Sequence, residues 1–191
     1  MCLGQSNNEI ELNRRPLIEF GESFKERIQS GKVNVDAPFV FEASGKLDKA
    51  GKIVPSTFKI TRSEGDANTL EIIKNAISAV NDARYFAYLR SMDITDVTFL
   101  LKQDVTIFTG QVSSEMVNDQ RANSLASVFA MLTKMAISRK QGAQPVSQSD
   151  KNDGLLLNSM STSASGKTFI IKFELAKGTL RDILTANLST K

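Results

Sequence analysis

The spacing of apolar positions changes several times along the chain, and each change marks an element. From Pro16 onward, Leu17, Phe20, Phe24 and Ile28 recur at steps of three and four, which is one face of an α-helix. Pro16 suits a first helical position and Gly31 the residue just past the end, so the pattern predicts a helix over 16–30. Gly21 weakens that helix by about 1 kcal/mol relative to Ala. The period then falls to two: Phe39, Phe41 and Ala43 share one face of a strand, and Val40 and Glu42 the other. Asp48-Lys49-Ala50-Gly51 turns the chain, and Phe58 and Ile60 alternate with Lys59 on the return, which reads as a hairpin. Pro55 has no N–H to give to a ladder, so the return strand is expected at a sheet edge or a bulge.

Helical spacing resumes after Asp66, a good N-cap, with Leu70, Ile73, Ala76, Ile77 and Val80 on one face. The aromatic run Asp82-Ala83-Arg84-Tyr85-Phe86-Ala87-Tyr88 fits either a short helix or an irregular segment over the sheet. A second hairpin is expected to pair Val97, Phe99 and Leu101 with Val105 and Ile107 across Gln103-Asp104. Ser113-Ser114 is positioned to cap a helix over about 115–139, whose stripe is Val117, Leu125, Val128, Phe129, Leu132, Met135 and Ala136. Residues 140–154 are almost free of apolar side chains and read as a linker or loop. Beyond them, LLLNSMSTSA and TFIIKFEL flank Ser165-Gly166-Lys167 as a third hairpin, and Leu180, Ile183, Leu184 and Leu188 mark a closing helix.

These elements predict an α+β fold of antiparallel β-hairpins packed against helices, in the order α-ββα-ββα-ββα. Residues 1–15 are polar and aperiodic and are expected to form a disordered tail. The α+β body spans 16–139, and the hairpin and helix of 155–191 pack on the same domain.

Composition narrows the chemistry. The 191 residues include no histidine, no tryptophan and one cysteine, Cys2. That excludes an internal disulfide, Ser-His-Asp and Cys-His catalysis, and cysteine- or histidine-rich metal sites. No catalytic, metal or cofactor-binding residue is assigned, and the chain is expected not to be an enzyme. A net charge of +3 without clustered Lys and Arg argues against nucleic acid as a partner. No run of about 18 apolar residues is present, so no transmembrane segment is expected. Cys2 in its polar leader matches the lipid-bearing first residue of a lipoprotein only if a signal has been removed, and an ordinary tail is the simpler reading.

One stretch carries a resemblance to a known family. A strand reaches Leu47-Asp48-Lys49-Ala50-Gly51, leaves as Lys52-Ile53-Val54, and passes through Ser63-Glu64-Gly65-Asp66 into the Leu70–Val80 helix. Tyr85-Phe86 and the strand Val97-Thr98-Phe99 follow. Over about 38–109 this order is similar to the C-terminal domain of TonB-family energy transducers. The family's Tyr-Pro pair, Pro-rich spacer, membrane anchor and the proline after its aromatic segment have no counterpart here. The resemblance implies capture of an extended peptide by strand addition at a sheet edge, and a periplasmic or cell-envelope location. The N-terminus as written points instead to the cytoplasm.

Other motifs reduce to simpler readings. Ser165-Gly166-Lys167-Thr168 lacks the upstream glycine of a phosphate loop, since Ser161 stands there. Asp150-Lys151-Asn152-Asp153-Gly154 places its glycine early for a calcium loop and ends on Ser161 where a glutamate is needed. Ser56 and Lys59 have Ser-x-x-Lys spacing, but on a strand they point to opposite faces. Glu64, Asp66, Asp93 and Asp96 are available carboxylates with structural explanations, and Met116, Met131, Met135 and Phe129 fit core packing better than a peptide groove. The expected function is therefore a protein-interaction module binding an extended peptide or protein partner. Its candidate partner-binding residues are Pro55, Thr57, Lys59, Tyr85, Phe86 and Tyr88. A carrier of a small apolar ligand or lipid is the alternative.

Overall fold

In the computed structural model the described residues are 10–141 and 148–189. The elements in chain order are α1 (Arg15–Gln29), β1 (Phe39–Lys46), a 3-10 turn (Pro55–Thr57), β2 (Lys59–Glu64), α2 (Ala67–Asp82) and α3 (Ala87–Arg90). Then come β3 (Asp96–Gln103), β4 (Ile107–Glu115), α4 (Asp119–Gln141), α5 (Gln148–Asn158), β5 (Met160–Ser165), β6 (Thr168–Ala176) and α6 (Lys177–Ser189). The fold is α+β. The six strands of the described residues form one antiparallel sheet in the order β2-β1-β3-β4-β6-β5.

Alternation decides which face is buried. Phe39, Phe41 and Ala43 of β1 stand opposite Gln103, Leu101 and Phe99 of β3, and this inward set continues through Val112 of β4 to Ile171 of β6. Leu70, Ile73 and Ile77 of α2 and Leu125, Ala126 and Phe129 of α4 close over it to form the core. Phe86 packs on Phe99 with ring centroids 5.4 Å apart, and Phe129 on Phe169 at 5.2 Å. The opposite face carries Glu42, Ser44, Thr98, Gln111, Ser113 and Lys172, a polar surface typical of an antiparallel sheet with one wet side.

The helices begin and end where local chemistry requires. Asp66 accepts the Thr69 N–H at 3.0 Å and caps α2 as expected. α1 ends at Gly31, in the left-handed region at φ +68. α1 packs chiefly on α2, joined by Arg27–Glu71 at 2.9 Å, and none of its own residues is fully buried.

Several boundaries differ from the sequence reading. Asp104 accepts the N–H groups of Thr106 and Ile107 at 2.7 and 2.8 Å, which makes 104–106 a tight turn. Val105 is therefore 81% exposed, and the inward residues of β4 are Phe108, Gly110 and Val112 rather than Val105 and Ile107. Gly110 is there because a Cβ would lie 2.1 Å from the Phe173 ring. β4 continues through Ser113 and Ser114, so the cap of α4 is Asn118, whose Oδ1 accepts the Arg121 N–H at 2.8 Å. α5 occupies part of the expected 140–154 linker and also Leu155–Asn158, the opening of the expected strand, so β5 begins only at Met160. Residues 142–147 lie outside the described ones. Part of the expected 1–15 tail is held against the body, since Asn13 N–H donates to Ala83 O at 3.3 Å. Residues 1–9, Cys2 among them, lie outside the described residues. The side chains of Leu184 and Leu188 lie outside them as well.

Candidate functional site

β2 closes one end of the sheet. It pairs with β1 alone, and all six of its residues are exposed. Among the described residues no helix packs along its outer side, whereas the opposite edge strand, β5, runs beneath α4 and Thr162 Oγ1 donates to Ala126 O at 2.9 Å. The pairing of β2 shifts register between Glu42 and Ala43, so the strand carries a bulge. Its charged side chains, Lys59, Arg62 and Glu64, are those that keep natural edges from pairing indiscriminately. Arg62 grips Glu64 with two contacts of 2.8 and 2.9 Å, and this hydrogen bonding holds the Glu64 carboxyl below its ordinary range.

The approach to this edge is shaped by the Asp48–Gly51 turn and the 3-10 turn after it. Asp48 Oδ1 accepts the N–H groups of Ala50 and Lys52, both at 2.8 Å, and Asn81 Oδ1 accepts that of Ile53 at 2.7 Å. Pro55 opens the 3-10 turn, a position where its missing N–H is not needed. Thr57 Oγ1 accepts the Lys46 N–H at 2.9 Å and donates to Val54 O at 2.7 Å, so it latches the turn to the end of β1. Gly45 allows this closeness, since a Cβ there would lie 2.9 Å from Ile53.

Two concave surfaces flank the start of β2. On the helix-covered side lies a mostly apolar groove of about 220 Å³, bounded by Ile53, Pro55 and Phe58 on one wall and by Ile77, Ser78, Asn81 and the charged Lys74 of α2 on the other. On the opposite side is an open polar cleft of about 850 Å³ at the ends of β1, β3 and β4. Lys46, Lys59 and Lys167 line it, with Asp96 and Glu115 and several hydroxyls. Lys46 stands 4.0 Å from Asp96, while Lys59 and Lys167 form no ion pair among the described residues. The arrangement offers hydrogen-bonding backbone, one apolar socket and a net positive surface within the reach of a single extended segment.

The six expected partner-binding residues are not all brought together. Pro55 lines the groove, Lys59 lines the cleft, and Thr57 reaches the cleft while serving as a latch. Phe86 is 7% exposed and belongs to the core. Tyr85 and Tyr88 are exposed around α3, which packs on the Asp48–Gly51 turn, and neither lines the groove or the cleft. Ser56 and Lys59 do line the same cleft, because 55–57 is a 3-10 turn rather than the strand that would have set them on opposite faces. Glu64 and Asp66 are taken up by Arg62 and the α2 cap, and Asp96 and Asp93 face Lys46 and Arg121, the latter at 3.5 Å. Met116 is buried in the core, whereas Met131 and Met135 are exposed on α4.

Phe58 and Ile77 were read from the sequence as strand and helix-face residues rather than as site residues, and Asn81 was not read at all. Asn81 carried the signal, a polar side chain at the end of an apolar helical face. Among the described residues no group of three or more acidic or cysteine side chains is close enough to hold a metal ion, and no helix is long and apolar enough to cross a membrane. No family model, curated protein or solved structure matches the chain.

Proposed function

We propose that this chain is a non-catalytic protein-interaction module of the bacterial cell envelope that binds an extended peptide by strand addition to β2. The observation that carries the reading is the open edge: six exposed residues at the end of the sheet, with an apolar groove beside their start. Strand addition gives affinity through main-chain hydrogen bonds and specificity through pockets for alternate side chains. On β2 those alternate positions differ in kind. A residue on the helix side meets Phe58, Ile77 and the exposed Ile60, and its neighbours on the other side meet Lys59 and the cleft. The preferred segment therefore alternates an apolar residue with acidic or hydroxyl-bearing ones. The cell-envelope location follows from the resemblance over 38–109.

Selection from a random library of linear peptides, followed by amide hydrogen exchange on the complex, tests this. The expected peptides show the apolar–acidic alternation and slow the exchange of β2 amides, and Lys59→Glu weakens them. Selected peptides that protect other amides and leave β2 unchanged, or a library that yields no binder, would end the proposal.

A further inference from the structure

A second concavity lies away from the edge, between α1, α2, the inward face of the sheet and α6. Its volume is about 230 Å³. Phe20 and Phe24 of α1 form one wall, Ile72 and Ala76 of α2 another, and Leu101 and Leu180 are part of the remainder. No charged side chain lines it, and Thr69 and Gln103 are its two polar residues. Thr69 donates its hydroxyl to the Asp66 carboxylate at 3.2 Å. Gln103 is 4% exposed, and its amide nitrogen donates to Val35 O at 2.8 Å and Ala37 O at 2.9 Å. Those two bonds fix which end of the amide is nitrogen. They leave Oε1 as an acceptor that no donor among the described residues engages.

We propose that this cavity is a binding site for a small, neutral, largely apolar molecule with one hydrogen-bond donor, such as a medium-chain or aromatic alcohol, held by Gln103 Oε1. Water gains little against an apolar concavity of this size, and an apolar ligand that covers its lining removes that surface from water. A carboxylate headgroup is disfavoured, because burying a charge without a partner is costly and the lining supplies none. α1 suits the role of outer wall, since it has no fully buried residue. The site stands on observations independent of the β2 edge, so either can fail alone.

Titration of the full chain with n-octanol, octyl methyl ether and octanoate, by calorimetry and methyl NMR, tests the proposal. n-Octanol is expected to bind saturably and to shift the methyl signals of Ile72, Ile73 and Leu180. The ether, which has no donor, should bind about fivefold more weakly, the factor one neutral hydrogen bond contributes. Ionised octanoate should not bind. Ala76→Phe, which places a ring in the cavity from the α2 wall and leaves Gln103 itself unchanged, should abolish octanol binding while thermal unfolding stays cooperative. Absence of saturable octanol binding, methyl shifts elsewhere, or unchanged binding in Ala76→Phe overturns the site. Equal affinity for alcohol and ether overturns the role of Gln103, and both ligand comparisons hold on the wild-type chain should the variant fail to fold.

Discussion

Replacing Gly51 by alanine tests how the approach to the edge is built. Gly51 sits at φ +76, where an L-residue is strained by about 1–2 kcal/mol, partly offset because alanine stiffens the unfolded chain. The larger effect is steric. A Cβ at this position would lie 2.3 Å from Ala87 Cα and 2.6 Å from Ala87 N, and both are backbone atoms that no rotamer change can move. The turn cannot swing away cheaply either, since Asp48 Oδ1 holds two of its N–H groups and Asp48 N–H donates to Lys52 O at 2.8 Å. Prising the turn off α3 disturbs packing around Leu47, Ile53 and Leu89, a rearrangement in the overpacking range of about 1–3 kcal/mol. Gly51→Ala is thus expected to lose about 3 kcal/mol in all. Gly31 is the internal control: its φ is +68, yet nothing lies within 4 Å of its Cβ position. Gly31→Ala should lose only about 1 kcal/mol. Urea unfolding of both variants, read as midpoints at unchanged slope, gives the comparison. Equal losses would show that the turn–α3 approach is not the constraint described.

Phe41 is completely buried, so Phe41→Ala should lose about 3–5 kcal/mol in the same assay. Asp66→Ala removes the α2 cap and should lose about 1 kcal/mol, with hydrogen exchange rising first in the opening turn of that helix. Hydrogen bonds from Thr106 N–H, then Ile107 N–H and the Thr106 hydroxyl, depress the Asp104 pKa. Its contribution is therefore present above the unfolded-state value and lost as pH falls through the folded one. The urea midpoint of the wild type should drop through that acidic window relative to Asp104→Ala, and parallel curves would refute its hold on the 104–106 turn. For peptides chosen by the β2 edge, Lys59→Glu should invert the preference for acidic residues without shifting the unfolding midpoint beyond the range of surface substitutions, about 0.5 kcal/mol.

The strands were legible wherever alternation coincided with burial. Phe39, Phe41 and Ala43, and Val97 and Phe99, point inward as their spacing predicts. β4 was misread because Val105 and Ile107 also alternate, and only the Asp104 turn reveals that the inward phase belongs to Phe108. α5 escaped notice because its opening, Gln148-Ser149-Asp150-Lys151, has no apolar period to read. The return strand does lie at an edge, but it begins at Lys59 and Pro55 opens the 3-10 turn ahead of it instead of sitting in the ladder. The groove beside it needed tertiary structure, since Phe58 and Ile77 meet only after α2 folds back. Gln103 was readable in principle, a polar residue in the inward phase set by Val97, Phe99 and Leu101. Its partners lie in the 33–37 loop, which no sequence spacing connects to β3.

The strand order also bears on how the sheet assembles. Three hairpins, β1–β2, β3–β4 and β5–β6, are local in sequence, but the seams that join them are not: Ala43 pairs with Phe99 across one and Val112 with Ile171 across the other. Both seams are built on the β3–β4 hairpin, so neither outer hairpin has a place to dock until it exists. Long-range closures of this kind slow folding. Substitutions that weaken the middle hairpin should accordingly retard refolding, while those in β2 should mainly hasten unfolding. The strand with the fewest neighbours is then the last to join and the first to fray, and a partner that reaches it meets a border that can loosen while the centre stays intact.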